Sequence, residues 1–212
     1  MTKDICSGKI ISKKKDNTHF LLTLDKGLKY LPGQFIEVFK KEKSKFLGPR
    51  PYTLVNLNSE NTKLFIGIVK NGEFSNYLDQ LQVNDNIYFK GPIGTPLEKR
   101  ITSNNLIIVA LGSGISTYRA FVHHSVSKYN VSLFYINTKK DLFFSKEFEE
   151  LSKRNKNFRC TEIVGKERQD FNLEKEIKEN VNYLISGPPK ATEFYSQLLK
   201  KNNVNEQNII IN

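Results

Sequence analysis

The hydrophobic pattern of this chain changes its period near residue 97. Before that point, short segments rich in β-branched and aromatic residues are separated by turn formers such as LPG, NSEN and VND. After it, compact apolar segments alternate with segments in which apolar residues recur at helical spacing. Evenly spaced short strands are typical of a closed antiparallel barrel, whereas strand–helix alternation indicates a parallel sheet with helices on both faces. We therefore predict two domains, an antiparallel six-stranded β-barrel over residues 1–98 and a parallel five-stranded α/β domain over residues 103–212.

The predicted strands are short in both halves. Those of the barrel cover residues 5–12, 18–25, 34–40, 50–58, 63–70 and 86–92. Those of the parallel sheet cover residues 106–111, 131–136, 159–164, 182–186 and 208–211. One helix, residues 75–81 with Ser75 as its N-cap, interrupts the barrel. Further helices are predicted around Phe121, Phe148 and Phe194, each of which we expect on a buried face.

Composition excludes several classes of protein. The chain has 212 residues, of which 38% are hydrophobic and 15 are Phe, as in a globular protein rather than a disordered one. No apolar run approaches the roughly 20 residues of a membrane helix, and the N-terminal sequence lacks an apolar signal core. We therefore expect a cytoplasmic protein that does not act at a membrane. Two cysteines, Cys6 and Cys160, are too few for a four-thiolate iron–sulfur cluster, and His19, His123 and His124 have no metal-binding spacing, so no metal site is predicted.

The net charge of +11 has two interpretations. It can attract an acidic partner over a long range, or it can simply reflect a chain rich in lysine and asparagine. The sequence has no arginine-rich segment and no nucleic-acid-binding motif, so we expect no nucleic-acid partner. A small acidic protein stays open as a partner.

Two loops are predicted at the carboxyl ends of strands, where ligands bind in open α/β sheets. GSGIST, residues 112–117, opens a helix, so its glycines and the free N–H groups of the helix could receive a pyrophosphate. It lacks the third glycine of a GxGxxG fingerprint and the GK[ST] of a Walker loop, so on its own it could equally be an ordinary turn. SGPP, residues 186–189, is stiffened by its prolines and is either a rigid loop or the wall of a pocket.

A cation, an aromatic ring and a hydroxyl follow one another in RPYT, residues 50–53. Pro51 has no amide hydrogen, so this strand is predicted to lie at an edge or to break there. Arg50 can bind a phosphate with two donors, and Tyr52 offers a flat face for stacking. In a strand these two side chains share a face while Thr53 points the other way. The combination fits a flavin dinucleotide, and the alternative is an edge strand with a surface arginine.

The segment KNGEFSNYL, residues 70–78, is a second candidate for phosphate binding. Gly72 permits a tight turn, and Ser75 is expected to start a short helix whose amides could hold a phosphate. The alternative is a plain capped helix, because Ser is a common N-cap.

Taken in order, these segments resemble motifs of the ferredoxin–NADP reductase superfamily of flavoproteins. RPYT resembles the RxYS/T flavin motif of that family, and GEFSNYL resembles its GxxS pyrophosphate motif. ALGSGIST resembles its GTGIxP nicotinamide-nucleotide loop, and SGPP resembles its CGPP loop. LPGQF, residues 31–35, and KGPIG, residues 90–94, are similar to further landmarks of the family. The resemblance covers nearly the whole chain and implies a flavin-binding barrel followed by a Rossmann-like NAD(P)-binding domain.

The resemblance also implies roles for individual residues. Arg50 would bind the FAD phosphates, Tyr52 would lie against the isoalloxazine ring, and Thr53 would hydrogen-bond near flavin N5. The other residues implied to contact FAD are Pro51, Ile68, Val69, Lys70, Gly72, Phe74 and Ser75. Those implied for the pyrophosphate of NAD(P)H are Gly112, Ser113, Gly114, Ile115 and Ser116, and those implied for its nicotinamide are Ser186, Gly187, Pro188 and Pro189. Tyr52, Thr53 and Ser186 are the catalytic residues implied, because they would orient the stacked rings rather than act as acid or base.

The sequence departs from the family pattern at several points. Ser186 stands where the family often has cysteine, and Thr117 stands where proline is usual, which we expect to loosen the loop. The sequence ends NIIIN, without the terminal aromatic residue that shields the flavin in plant-type members. It also shows no additional cysteine-rich domain, so we expect any iron–sulfur partner to be a separate protein.

The resemblance implies an FAD-dependent NAD(P)H oxidoreductase that passes hydride from NAD(P)H to FAD and then electrons to a separate acceptor such as ferredoxin or flavodoxin. A basic protein suits an acidic carrier of this kind. The alternative is an FAD-binding electron-transfer subunit of a larger complex. Thr138, Lys139 and Lys140 follow the second parallel strand, and no acidic residue ends that strand to hold a ribose 2′-OH. These residues favour NADPH over NADH, unless the lysines are simply solvated.

Overall fold

The computed structural model describes residues 4–16, 18–58, 60–67, 72–138 and 142–212. The chain divides into two compact units, Met1–Leu97 and Glu98–Asn212. The first unit consists of six strands and one helix. Its elements are β1 (Cys6–Lys15), β2 (His19–Leu24), β3 (Phe35–Glu42), β4 (Lys45–Thr53), β5 (Lys63–Gly67), α1 (Glu73–Gln80) and β6 (Asn86–Ile93).

The strands of the first unit form an antiparallel sheet that curls into a barrel. The strand order is β4-β3-β6-β1-β2-β5. The two ends of this order meet where Leu54, directly after β4, bridges Leu64 of β5, and where the Val55 N–H donates to the Lys63 carbonyl oxygen at 3.0 Å. Alternate side chains point inward and bury an apolar core. This core contains Ile10, Phe20, Leu22, Leu24, Ile36, Val38, Leu54, Leu64, Ile66, Leu78, Ile87 and Phe89.

The strand that carries RPYT begins and ends earlier than the sequence predicted. It covers Lys45–Thr53 rather than residues 50–58. It lies at one end of the strand order and forms its ladder with β3, which confirms that Pro51 belongs to an edge strand. An edge strand tolerates proline because the N–H groups on its outer side need no ladder partner. For this reason Pro49 does not prevent the strand from beginning at Lys45.

The second unit alternates strands and helices. Its regular elements are β7 (Asn105–Leu111), α2 (Ile115–Ser125), β8 (Asn130–Asn137), α3 (Ser145–Arg154), β9 (Phe158–Val164), α4 (Glu167–Asp170), β10 (Val181–Ser186), α5 (Pro189–Lys201) and β11 (Ile209–Ile211). All strand pairs are parallel, in the order β11-β10-β7-β8-β9. The predicted architecture of a six-stranded antiparallel barrel followed by a five-stranded parallel α/β domain is therefore confirmed.

The strand order of the second unit has a switch point between β7 and β10. From β7 the chain proceeds to β8 and β9 on one side, and later to β10 and β11 on the other. The loops that follow β7 and β10 therefore leave neighbouring strand ends in opposite directions. Such a switch point creates a crevice at the carboxyl ends of the strands, where open α/β sheets bind ligands.

The start of β10 is fixed by one buried amide side chain. Asn182 is fully buried, and its Oδ1 accepts hydrogen bonds from the backbone N–H groups of Thr102 and Ser103, both at 2.8 Å. Its Nδ2 donates to the Thr102 hydroxyl at 3.1 Å. The segment that leads into β7 is thereby attached to its neighbouring strand.

One predicted helix face is wrong. Phe194 of α5 was expected to be buried, but it is 58% exposed. The buried residues of α5 are Thr192, Tyr195, Ser196 and Leu199, which recur at intervals of three or four residues. Phe194 lies outside that stripe and instead packs the edge of its ring against Tyr195, with ring centroids 5.2 Å apart. None of the helices in the described ranges is long and apolar enough to cross a lipid bilayer.

Candidate functional site

The segments RPYT and GEFS meet in the first unit. The rings of Tyr52 in β4 and Phe74 in α1 lie nearly parallel, with centroids 6.4 Å apart and 27° between their planes. A Cβ on Gly48 would come within 3.3 Å of Phe74 Cε2, so Phe74 packs against bare backbone of β4. Two segments that resemble flavin motifs, and that lie well apart in sequence, therefore form one cluster.

The side chains of RPYT alternate as the sequence predicted. The ladder to β3 runs without a register shift from Arg50 to Thr53, so Arg50 and Tyr52 share one face and Thr53 lies on the other. Arg50 is exposed, and its Nη1 donates to the Pro49 carbonyl oxygen at 3.2 Å. That bond uses one of the five N–H donors of a guanidinium group. The others remain suitable for an anionic ligand.

The hydroxyl of Tyr52 is held in its protonated form. Burial raises the pKa of Tyr52 to about 12, although the positive charge of Arg50 opposes the rise. At physiological pH the Tyr52 hydroxyl can therefore donate a hydrogen bond and cannot act as an anionic base.

The helix α1 begins before the residue predicted to cap it. Gly72 occupies the N-cap position, no side chain caps the helix, and Ser75 lies inside the first turn. The Ser75 hydroxyl donates back to the Gly72 carbonyl oxygen at 3.2 Å, so the prediction of Ser75 as the N-cap is wrong. The first N–H groups of a helix have no intrahelical acceptor, so they can bind an anion. Ile68, Val69 and Lys70, which the resemblance assigns to the flavin, lie outside the described residues.

The second unit brings its two candidate loops together because β7 and β10 are neighbours. Ser186, the last residue of β10, is in register with Ala110 of β7. Residues Gly112–Gly114 form a 3₁₀ turn that continues directly into α2 at Ile115, and no side chain caps α2. Gly112 has φ of +56°, a conformation that side chains disfavour. Since the Ile115 side chain is fully buried, Ile115 can meet a ligand only through its main chain.

The glycines of these loops make room for each other. A Cβ on Gly114 would lie 2.1 Å from the carbonyl oxygen of Ser186, and a Cβ on Gly187 would lie 2.6 Å from Cβ of Leu111. Both distances are far below van der Waals contact. Glycine is therefore required at both positions by the loop-to-loop contact itself, before any ligand is considered.

The two departures from the family pattern are in contact with each other. The hydroxyls of Thr117 and Ser186 lie 3.1 Å apart in a hydrogen bond, and both residues are buried. Thr117 was expected to loosen the loop that begins at Gly112. The structure differs from this expectation, because the Thr117 side chain joins that loop to the end of β10.

The prolines of SGPP start α5. Pro189 is the first residue of the helix, where its missing N–H removes no hydrogen bond, and Pro188 precedes it. The Thr192 hydroxyl donates to the Pro189 carbonyl oxygen at 2.9 Å and closes the first turn. Both prolines are exposed, whereas Ser186 before them is buried.

The loop after β8 was predicted to select between NADPH and NADH. Thr138 is exposed, and its N–H donates to Oδ1 of Asn137 at 2.7 Å. Lys139 and Lys140 lie outside the described residues. The preference for NADPH therefore stays a prediction from sequence.

A buried ion-pair cluster behind this loop was missed by the sequence analysis. Arg119 of α2 donates to Glu147 of α3 through Nε at 2.9 Å and through Nη2 at 2.6 Å, and Nε2 of His123 lies 2.5 Å from the same carboxylate. The Arg119 guanidinium also lies over the ring of Phe144, 4.5 Å from its centroid. Burial opposes ionisation of Glu147, but the hydrogen bonds from His123 and Arg119 outweigh it and lower the pKa of Glu147. An arginine four residues before a histidine, on one face of a predicted helix, was the available signal.

The cysteines carry no reactive site. Burial raises the pKa of the Cys160 thiol to about 12, so it is protonated at physiological pH. Cys6 and Cys160 are both free thiols. Within the described residues there is no group of three histidine, cysteine or acidic side chains that could hold a metal ion.

Comparison with known proteins agrees with this arrangement. Residues 4–96 match the family model described as an oxidoreductase FAD-binding domain. The chain is 27% identical to the cyanelle ferredoxin–NADP reductase of Cyanophora paradoxa, over 88% of this chain and 58% of that protein. Its fold matches that of a ferredoxin NADP+ reductase from Neisseria gonorrhoeae with bound FAD and NADP, with a TM-score of 0.82, 18% identity and 98% of both chains covered.

The chain belongs to the ferredoxin–NADP reductase-like superfamily of FAD- and NAD(P)-binding oxidoreductases. The resemblance identified from its motifs is thus confirmed. It is also 28% identical to the uncharacterized oxidoreductase AIM33 of Saccharomyces cerevisiae, over 72% of this chain and 55% of that protein. The chain spans little more than half the length of these two curated relatives.

Proposed function

We propose that this chain is an FAD-dependent NAD(P)H oxidoreductase that delivers electrons to a separate acceptor. In this proposal residues 1–98 bind FAD and residues 103–212 bind NAD(P)H. The observation that carries it is the cluster of Tyr52, Phe74 and Arg50 in the first unit, beside the start of α1. The cluster combines an aromatic surface, a guanidinium group and helix N–H groups, which suit the ring and the pyrophosphate of a flavin dinucleotide.

The residues of the first unit fit FAD by their chemistry. Arg50 would bind the phosphates, because its guanidinium is exposed and most of its donors are available. Tyr52 and Thr53, on opposite faces of β4, would offer the flavin a ring and hydroxyl donors. Gly72, Phe74 and Ser75 would bring the start of α1 to the pyrophosphate. The main chain of residues 68–70 is assigned to the flavin by the resemblance alone.

The second unit would hold the nucleotide by backbone groups and one hydroxyl. The turn Gly112–Gly114 and the uncapped start of α2 offer N–H groups to a pyrophosphate, including those of Ser113, Ile115 and Ser116. Ser186, with Gly187 and the two prolines after it, would border the nicotinamide. Thr138, Lys139 and Lys140 would hold a 2′-phosphate and favour NADPH, which the double variant Lys139→Ala/Lys140→Ala should reverse.

No acid–base residue is needed for this reaction. FAD accepts two electrons as a hydride from a reduced nicotinamide and can return them one at a time. The protein has to set the distance and angle of the rings, exclude water and hold the charges. Tyr52 suits this role because its pKa of about 12 keeps it neutral at every pH at which the enzyme would work.

The test is the visible spectrum of the purified chain before and after anaerobic addition of NADPH and then NADH. Flavin bands that bleach within seconds are expected. Arg50→Ala should lower the affinity for FAD by about tenfold or more, because hydrogen bonds to charged groups contribute roughly 1.5–3 kcal/mol. Lys45→Ala removes a positive charge from the same exposed strand and should bind FAD like the wild type. A colourless protein that takes up no added FAD would contradict the proposal.

The second candidate is an FAD-binding electron-transfer subunit of a larger complex. The observation that favours it is the length of the chain, which is little more than half that of its curated relatives. Flavin bands that neither nucleotide bleaches in the isolated chain would support this candidate over the first.

The acceptor we propose is a small acidic electron carrier such as ferredoxin or flavodoxin. The net charge of +11 supports this, because complementary charge accelerates the encounter of carrier and reductase. A cytoplasmic location stays a prediction from sequence.

A further inference from the structure

Thr117 and Ser186 are the two positions at which the nucleotide-binding loops depart from the family motifs, and they form a hydrogen bond with each other. Thr117 Oγ1 and Ser186 Oγ lie 3.1 Å apart. Only 6% of Thr117 and 5% of Ser186 is exposed. The two substitutions are therefore one structural feature, a buried hydroxyl pair between α2 and the end of β10.

The backbone of Ser186 has little freedom of its own. Its carbonyl oxygen lies where a Cβ of Gly114 would be, 2.1 Å from that position, and its strand pairs with β7 and β11. The remaining freedom is the rotation of the Ser186 side chain among three staggered positions. Thr117 is branched at Cβ and sits in the first turn of α2, so it is a stiff partner for that side chain.

The pair has one hydroxyl proton more than its internal hydrogen bond uses. Each hydroxyl is one donor and can accept two hydrogen bonds, so when one donates to the other a single O–H donor is left. Within the part of the chain that the structure describes, this is the one hydrogen bond that either hydroxyl makes. If Thr117 donates, the O–H of Ser186 is the group that remains, at the carboxyl end of β10 beside the switch point. A buried donor favours a ligand that offers it an acceptor.

We propose that Thr117 is a positioning residue of the nucleotide site and that it acts through Ser186. Thr117 donates to Ser186 Oγ and fixes the rotamer of that side chain, and the O–H of Ser186 donates to an acceptor at the nicotinamide end of the bound nucleotide. Loop rigidity, which the proline of the family motif would supply through its ring, comes here from a side-chain hydrogen bond. This inference rests on the proposed function.

The test compares Thr117→Val, which removes the hydroxyl at nearly constant volume, with Thr117→Ser, which keeps it. Thr192→Val is the matched control, because Thr192 is equally buried in the same unit but donates to the Pro189 carbonyl oxygen. Two quantities are measured with the nucleotide that bleaches the wild-type flavin. One is the bleaching rate at saturating reduced nucleotide. The other is the calorimetric affinity for the oxidised nucleotide relative to the same molecule lacking its nicotinamide ring.

We expect Thr117→Val to slow bleaching by about 2- to 10-fold, the range that one net hydrogen bond covers. It should also reduce the affinity gained from the nicotinamide ring and leave binding of the ring-free molecule unchanged. Thr117→Ser should restore both quantities, and Thr192→Val should change neither. In a Ser186→Ala background, Thr117→Val should have no further effect, because its action passes through Ser186.

Three results would overturn the inference. If Thr117→Val matches the wild type in both quantities, Thr117 has no positioning role although the proposed function stands. If its effect adds fully to that of Ser186→Ala, Thr117 does not act through Ser186. If Thr117→Val does not fold, Thr117→Ser and Ser186→Ala decide, and a Ser186→Ala protein as fast as the wild type refutes the inference. A wild type that binds FAD but is bleached by neither nucleotide refutes the proposed function, and this inference with it.

Discussion

Replacing Gly114 by alanine tests how closely the two nucleotide-binding loops approach. The added Cβ would lie 2.1 Å from the carbonyl oxygen, 2.5 Å from the carbonyl carbon of Ser186 and 2.9 Å from the Gly187 nitrogen. All three are backbone atoms, so no side chain can rotate away. Ordinary contact lies near 3.5 Å, so one loop must move by roughly 1.4 Å.

Two opposing effects decide the sign of this change. Gly114 has φ of −57° and ψ of −20°, so alanine suits its backbone and would by itself stabilise the protein by up to about 1 kcal/mol. Overpacking against a fixed backbone costs about 3 kcal/mol or more at a site this tight. The net expectation is a loss of about 2 kcal/mol from the free energy of unfolding of the second unit, or a fall of roughly 8 °C in its melting temperature.

Calorimetry of the full chain measures this, with Gly8→Ala as the matched control. A Cβ on Gly8 would meet Cβ and Cδ1 of Leu24 at 3.3 Å, and a leucine side chain can yield. Gly8→Ala should therefore change the melting temperature by less than about 4 °C, corresponding to less than 1 kcal/mol. If Gly114→Ala were as stable as Gly8→Ala, the loops would not approach as closely as described.

Three further predictions concern other parts of the molecule. Because the pKa of Glu147 lies below 4.5 in the folded chain, its contribution to stability is present above about pH 4.5 and is lost as the pH falls through the lower folded value. Glu147→Gln should cost about 1–2 kcal/mol at neutral pH and should flatten the loss of stability in acid, as urea titrations from pH 7 to 3 would show. Asn182→Ala leaves two backbone N–H groups without their acceptor and should lower the free energy of unfolding by about 2 kcal/mol in urea. Reduction of an acidic ferredoxin should slow steeply as NaCl rises from about 0.01 to 1 M, because the screening length shortens from roughly 30 to 3 Å.

Each of these predictions has its own control. Glu149→Gln alters an exposed carboxylate of the same helix and should leave the acid profile unchanged. Asn104→Ala alters an exposed asparagine beside the Asn182 contact and should be nearly neutral. Reduction of an uncharged quinone should not depend on salt. Equal effects in a variant and its control, or rates that are flat across salt, would contradict the corresponding prediction.

The sequence predicted the features that depend on local pattern. The alternation of apolar residues located the strands of both units, and Pro51 indicated an edge strand because it lacks an amide hydrogen. The order of strands in the parallel sheet cannot be obtained from pattern alone, and it is this order that brings Ser186 beside the loop at Gly112.

The features that the sequence analysis missed depend on tertiary contact. The hydrogen bond between Thr117 and Ser186 joins residues far apart in the chain, and each was interpreted separately as a departure from the family pattern. Ser75 was assigned to the N-cap because of its residue type, but the helix begins at Glu73. Phe194 fits a helical repeat, yet the neighbouring elements select a different face of α5. In each case packing outweighed a local preference.

The close contact between the two loops also limits how this protein can be engineered. Transplanting the GTGIxP-type loop of a relative onto residues 112–117 would remove the Thr117 hydroxyl and leave Ser186 buried without its partner. Converting SGPP alone to CGPP would place a larger sulfur atom against Thr117 and replace a strong hydrogen-bonding group with a weak one. A functional chimera therefore has to exchange both segments together, and neither loop can serve as an independent cassette for changing nucleotide preference.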